Sequence, residues 1–205
     1  MYIDEMNNSQ YQQAMLNYSG ALRQMNVLLE TINEEFALRL KSNPIEHITS
    51  RLKTPQSIAL KLKKKGLEPT LENARKYVDD IAGIRIICAF ITDIYRLVAV
   101  IEAQKQLKVL KVKDYINNPK GSGYRSYHML IEVPVFLSGS VATTKVEVQI
   151  RTIAMDFWAS LEHKLRYKYE NEIPKEFSDQ LTDCAQRVAF LDERMTKLNG
   201  EIEKA

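Results

Sequence analysis

Residues 81–91 read IAGIRIICAFI, a run dense in β-branched and other apolar side chains. Branching at Cβ crowds a helix and suits a pleated sheet. A run that stays apolar at almost every position, instead of alternating, belongs to a buried central strand. Such a strand needs helices packed on it, which restricts the fold to a mixed α/β (α+β) sheet. Two residues interrupt the run. Arg85 is a cation that burial penalises unless it meets an anion, either a carboxylate of the chain or a phosphate. Gly83 lets another group approach the backbone closely. Just ahead, Asp79 and Asp80 place carboxylates at the end of this strand, a plausible position for a Mg2+ ligand.

The other apolar residues sort by period. Tyr11, Met15, Tyr18, Leu22, Met25, Leu29, Ile32 and Phe36 are spaced by fours and threes, a heptad-like stripe on a long helix. Phe177, Leu181, Cys184, Val188, Leu191, Met195, Leu198 and Ile202 repeat that spacing near the other end. Each stripe either covers the body of its own subunit or forms a subunit interface. Residues 1–42 and 173–205 are therefore read as helical, assembly-prone flanks of a central domain at 43–172. Within that domain, TPQSIALKLKKKG is a short helix with Thr54 as N-cap, Pro55 first and Gly66 past its end. TDIYRLVAVIEAQKQ is a helix capped by Thr92, and LKVLKV is a strand. YHMLIEVPV and KVEVQIRT alternate with period two around an LSGS turn and read as a hairpin. IAMDFWASLEHKLRYKY is a helix expected to lay Phe157 and Trp158 on the sheet.

Net charge is only +3, but its distribution is uneven. Residues 51–65 hold six basic side chains and no acidic one, and residues 105–125 hold six against Asp114 alone. Local patches of this kind fit phosphates better than long nucleic acid, so nothing here calls for RNA. Ser57, Lys61 and Lys64 share one face of the short helix, and Arg51 and Lys53 precede its N-terminus, where amide groups favour anions. A solvated lysine face is the alternative. In KVEVQIRT, turning Val146, Val148 and Ile150 to the core aligns Glu147, Gln149 and Arg151 in a polar row. KGSGYRSYH, residues 120–128, is either a polar turn or a base platform with a cation for a phosphate, built from Tyr124, Arg125 and His128. His47 and His163 read as structural. Cys88 and Cys184 lie far apart in apolar-patterned segments and read as reduced, buried thiols of a cytoplasmic protein. MYIDEMNNSQ is too polar for a secretory leader, and no apolar run approaches the roughly 18–20 residues of a membrane span. The sequence has no GxxxxGK[ST], no GxGxxG after a strand, no HExxH and no CxxC. Physical reasoning alone arrives at Mg2+-dependent phosphate or nucleotide chemistry.

NPIEHITSRLK, DDIAGIRIICAF, KVKDYI, GYRSYH, VEVQIRT and AMDFWASLEHKLRYK occur in the order and spacing of the RelA/SpoT synthetase domain. The chain resembles a small alarmone synthetase of that family, more similar to the RelP (YwaC-like) branch than to RelQ. The resemblance implies a nucleotidyltransferase-like fold. It also implies transfer of the β,γ-pyrophosphate of ATP to the ribose 3′-oxygen of GDP or GTP, giving ppGpp or pppGpp and AMP. Carried over by motif, Arg51, Lys53, Ser57, Lys61 and Arg85 match ATP contacts, with Lys64 where relatives often have arginine. Asp80 matches the Mg2+ ligand. Glu147 matches the carboxylate that joins the metal or activates the 3′-hydroxyl. Tyr124 matches the tyrosine that stacks on guanine, with Lys120, Arg125 and His128 around the acceptor and Gln149 beside Glu147. Lys113 belongs to a KVKD segment similar to a basic acceptor-selectivity motif, with Lys111 where bifunctional relatives carry arginine. Asp156 falls at an acceptor contact where relatives often have asparagine. The sequence has no His-Asp dipeptide of the family's hydrolase domain, so synthesis without hydrolysis is expected. The resemblance further implies a homotetramer built through the terminal helices. The rival reading is a non-catalytic nucleotide- or RNA-binding regulator of the same fold.

Overall fold

The computed structural model describes residues 9–40, 43–167 and 174–204. Residues 1–8, the end of the helical pattern at Lys168 and Tyr169, and the boundary near 172 lie outside the described residues. The elements are α1 (Ser9–Leu40), β1 (Ile45–Leu52), α2 (Pro55–Lys64), α3 (Leu71–Tyr77), β2 (Ala82–Cys88) and α4 (Ile91–Glu102). There follow β3 (Lys108–Asp114), β4 (Tyr127–Phe136), β5 (Val141–Thr152), α5 (Ile153–Tyr167) and α6 (Lys175–Ile202). The five strands form one mixed sheet in the order β1-β2-β5-β4-β3. Only β2 and β5 pair in parallel.

One face of the sheet is apolar. Ile84 and Ile86 of β2, Val146, Val148 and Ile150 of β5, and Met129 and Ile131 of β4 are buried in one core with side chains of α1 and α4. The α1 stripe supplies Tyr11, Tyr18, Leu22, Met25, Leu29 and Ile32 to that core, and Met15 and Phe36 pack at its margin. The N-terminal stripe thus covers its own sheet, so an assembly contact along α1 cannot use it. Gly20 stands where α1 crosses β4. A Cβ there would lie 2.7 Å from Cγ1 of the buried Val135.

α6 differs from α1. Its buried residues are Ala185 and Asp192, a small and a polar seam, while Leu181 and Val188 are half-buried. The rest of the heptad stripe is exposed, including Leu191, Met195, Leu198 and Ile202. Cys184 is exposed with it, contrary to the buried thiol expected; Cys88 is buried, which raises its pKa, and both are free. Trp158 is buried, but in a cluster with Ala159 of α5 and Ala185 of α6, and Phe157 is exposed.

Two elements lie beyond the reading above. β1 is a polar edge strand whose only fully buried side chain is Ile45, and α3 has only seven residues. Thr54 caps α2 as expected, its hydroxyl accepting from the Ser57 amide. α4 starts one residue before Thr92, and Asp93 Oδ2 accepts from the Phe90 amide at 3.3 Å. Among the described residues no helix is long and apolar enough to cross a membrane.

The Gly20 contact gives a test. Glycine-to-alanine inside a helix ordinarily gains about 0.5–1 kcal/mol. Val135 is stiff at χ1 and enclosed, so Gly20→Ala is expected to lose about 1–3 kcal/mol through overpacking instead. Thermal melting should show a lower Tm for Gly20→Ala, recovered by adding Val135→Ala. A Tm raised by Gly20→Ala alone would mean that α1 does not pack this closely.

Candidate active site

The face opposite the core carries the charge. Along β5 the alternate residues Lys145, Glu147, Gln149 and Arg151 share it, as period two requires. Pairing fixes their neighbours: on one side Gly83 lies beside Glu147 and Arg85 beside Gln149, and on the other Leu130 and His128 occupy the same levels. Gln149 Nε2 donates to Glu147 Oε2 at 2.9 Å, which orients the carboxylate. Glu147 stands between two clefts. One, of about 120 Å³, is lined by Arg51, Gly83, Arg85, Glu147 and Gln149 among others. The second, of about 60 Å³, is lined by Asp79, Lys111, Lys113, His128 and Glu147 among others. A side chain at position 83 would reach the Arg51 side chain at 3.9 Å, so the glycine keeps the strand surface beneath Arg51 open.

Asp80 sits at the mouth of β2 in a triad with two lysines. Lys61 Nζ lies 2.7 Å from its Oδ1 and Lys53 Nζ 3.0 Å from its Oδ2. Burial works to raise the Asp80 carboxyl, but the hydrogen bonds from Lys61 and Lys53 outweigh it and hold the pKa below the usual carboxylate value. Asp79 is held separately, by Lys145 at 3.1 Å, and it is Asp79 that shares a cleft with Glu147. Ser57 and Lys64 remain on the exposed surface of α2.

The loop between β3 and β4 turns at Gly123, whose φ of 83° is unfavourable for any side chain. Tyr124 then joins a network. Arg151 Nη2 donates to its hydroxyl at 2.7 Å, and that hydroxyl lies 2.9 Å from His128 Nε2. With the oxygen already accepting from Arg151, its proton is placed to bond Nε2, which leaves the imidazole protonated at Nδ1, 3.9 Å from Glu147 Oε1. Burial, then the charges of Arg151, Lys120 and Lys113, push the His128 pKa down to about 4, so the ring is neutral at neutral pH. Lys120 Nζ lies 4.7 Å from the centre of the Tyr124 ring and 4.8 Å from that of Tyr115. Arg125 turns away to Glu193 of α6 at 2.8 Å.

Asp156 is engaged by Arg151 at 3.0 Å and, more loosely, by Arg85 at 3.6 Å. Arg85 therefore has a carboxylate, yet its Nε is buried without a hydrogen-bond partner. Burial and the neighbouring Arg151 lower its pKa, against the pull of Asp156. Arg151, only 5% exposed, links Tyr124, Gln149 and Asp156. It was recognised as part of the polar row but given no place in the site; its parity with Glu147 was the available signal. Tyr115 is a further member that sequence reasoning leaves out, while Asp79 is read there only beside Asp80, as a carboxylate at the end of the strand. His47 and His163 are exposed and bear on neither cleft. A larger hollow of about 560 Å³ between α1 and β4 is mainly apolar and lacks the charged set found here.

Comparison with known proteins gives the family. The family described as "Region found in RelA / SpoT proteins" matches residues 50–172. The GTP pyrophosphokinase YwaC of Bacillus subtilis is 47% identical over 92% of this chain and 90% of its own. The small alarmone synthetase 1 of Bacillus subtilis, solved with its product pppGpp, superposes with a TM-score of 0.85 at 35% identity, covering 95% of this chain and 99% of that one. The same synthetase bound to AMPCPP gives 0.79 at 32% identity, covering 97% and 100%. The family match takes in the lining of both clefts apart from Thr49, and on the strength of that match and of these relatives the chain belongs to the RelA/SpoT family.

Proposed function

We propose that the protein is a (p)ppGpp synthetase, moving the β,γ-pyrophosphate of ATP to the 3′-hydroxyl of GDP or GTP and releasing AMP. One observation carries this reading: Glu147 lines both clefts at once. Arginines surround the first cleft and suit a triphosphate, while lysines, His128 and the nearby Tyr115–Tyr124 pair suit a nucleoside diphosphate. A carboxylate between donor and acceptor is where a proton must leave as the 3′-oxygen attacks the β-phosphorus. The similar synthetase solved with pppGpp and with AMPCPP supports the same two partners.

The mechanism rests on positioning and charge neutralisation, the dominant factors in phosphoryl transfer. Arg51 and Arg85 face the donor phosphates. Lys53 and Lys61 can exchange Asp80 for phosphate oxygens of higher charge. Tyr124 stacks on the guanine, with Lys120 above its ring. Glu147, oriented by Gln149, takes the 3′-hydroxyl proton. His128, neutral and carrying its proton on Nδ1, can donate toward the acceptor without competing for that proton.

Among the described residues there is no cluster of three or more metal-ligating side chains. Asp80 and Glu147 are the carboxylates proposed for Mg2+, which is commonly held by one or two carboxylates together with substrate phosphates, and Asp80 would take that role on release from Lys53 and Lys61. Those two residues would hold it, and it would supply charge neutralisation on the transferring pyrophosphate. A non-catalytic regulator would need neither carboxylate. The protein is further proposed to act in the cytoplasm, to lack hydrolase activity and to assemble as a homotetramer, with the exposed α6 stripe as one contact.

Three outcomes are expected. Glu147→Gln keeps shape but removes the base, and turnover should fall by about 10²–10⁴-fold with folding intact. Turnover within a few-fold of wild type would remove Glu147 from the chemistry, and a wild type that makes no alarmone from ATP, Mg2+ and any guanosine acceptor would leave the regulator reading.

Tyr124→Ala should raise the KM for GDP far more than that for ATP, by the equivalent of about 1–3 kcal/mol of stacking. Parallel rises would place the base elsewhere.

Leu191→Lys with Leu198→Lys should lower the particle mass in light scattering, because the charges would fall in an apolar seam. An unchanged mass would exclude this stripe as a contact.

A further inference from the structure

We infer that α6 positions the acceptor loop, so that Ala185 and Val188, which lie on α6 outside both clefts, set acceptor affinity without contributing to ATP binding. The inference rests on reading residues 120–128 as the acceptor loop.

The loop is seated on α6 at successive points. A Cβ on Gly123 would lie 2.4 Å from the Ala185 Cβ and 3.8 Å from the Thr182 carbonyl oxygen, so the loop backbone lies directly on the helix. One residue on, Tyr124 packs against the cluster of Trp158, Ala159 and Ala185, and Val188 packs on the same cluster one turn further along α6. Arg125 is tied to Glu193 at 2.8 Å. The helix is fixed in turn to the end of the catalytic strand. Thr152, which closes β5, donates its hydroxyl proton to buried Asp192 at 2.7 Å, and Trp158 Nε1 donates to the Leu181 carbonyl at 3.0 Å.

The contacts with the loop lie at the acceptor end, and α6 is also tied to the start of α4, where the Ile91 amide donates to Thr196 Oγ1 at 3.2 Å. Arg51, Lys53, Lys61 and Asp80 have no contact with α6 among those described. The family match ends at residue 172, so the helix that seats the loop lies beyond the matched region. Its length along the loop also explains why a small residue faces Gly123. Any larger side chain at 185 would displace the turn and carry Tyr124 and its hydrogen bonds to Arg151 and His128 with it.

Trp158 is the sole tryptophan of the chain and stands between α5 and α6 in the cluster that supports Tyr124. Its emission is one readout of acceptor binding, with calorimetry on GDP alongside it, and neither needs turnover. GDP and AMPCPP are titrated separately into wild type, Ala185→Leu, Val188→Ala and Ala185→Gly, with AMPCPP affinity taken by calorimetry and Tm recorded on each preparation. Ala185→Leu and Val188→Ala should weaken GDP binding by about three- to tenfold while AMPCPP binding stays within about twofold. Ala185→Gly leaves the turn its space, so it should lower Tm through helix propensity yet hold GDP affinity. A purely structural helix would make GDP affinity follow Tm through all three variants and weaken AMPCPP in parallel, and either result overturns the proposal. GDP affinity unchanged in both Ala185→Leu and Val188→Ala also overturns it. Should Ala185→Leu fail to fold, Val188→Ala decides, since Val188 is only half-buried. A wild type that makes no alarmone but binds GDP, with that binding weakened as stated, sinks the synthetase reading and leaves this one standing. A wild type that binds neither GDP nor GTP removes both.

Discussion

The parallel pairing of β2 with β5 sets Gly83 beside Glu147 and Arg85 beside Gln149, and the reactive face is organised around that register. Parallel strands demand a crossover and burial, and here the apolar parity of both strands lies under α1 and α4. The opposite parity is left free for charge. A slip of one residue would send Glu147 into the core and Val148 into the cleft, so the same packing that stabilises the sheet also specifies the site. The rigidity of the carboxylate follows from this position: it is carried by the middle strand of five, not by a loop.

Many of the charges on that face are paired within the protein. Lys53 and Lys61 share Asp80, Arg85 and Arg151 share Asp156, and Lys145 holds Asp79. Buried or half-buried cations are costly without such partners. Each acid keeps a phosphate-seeking side chain in place, and each cation can be transferred to a polyanion of higher charge. His128 is neutralised differently, by burial and by three cations around it, and so remains a hydrogen-bonding group at neutral pH. The face stays net cationic all the same, because Arg51, Lys111, Lys113 and Lys120 stand beside these shared pairs, which suits the phosphates proposed for it.

Much of this was legible in the sequence because it is local. Period two placed Glu147, Gln149 and Arg151 on one face, and Thr54 marked the start of α2. The apolar run at 81–91 located the central strand. What escaped was nonlocal. β1 is an edge strand with a polar sequence, and of its apolar residues only Ile45 and Ile48 pack on the core. A heptad stripe cannot say which side of a helix meets the protein: in α1 the stripe is buried, and in α6 the seam of Ala185 and Asp192 is buried in its place. Trp158 is expected on the sheet together with Phe157, whereas its indole N–H donates to a carbonyl on α6. The partner of Arg125 lies 68 residues away, beyond any motif. Asp156 was placed at the acceptor by resemblance, while its geometry commits it to two arginines.

The seat of Gly123 on Ala185 ties two distant stretches of sequence into one unit of inheritance. Neither position is free to change size by itself: a side chain at 123 meets both a left-handed backbone and a helix, and a larger one at 185 meets the turn. Across relatives the two positions should therefore vary together or not at all. A chimera that exchanged the C-terminal helix between synthetases would need to carry the matching 120–128 turn with it. The protein is modular at its core strands and indivisible at this seam.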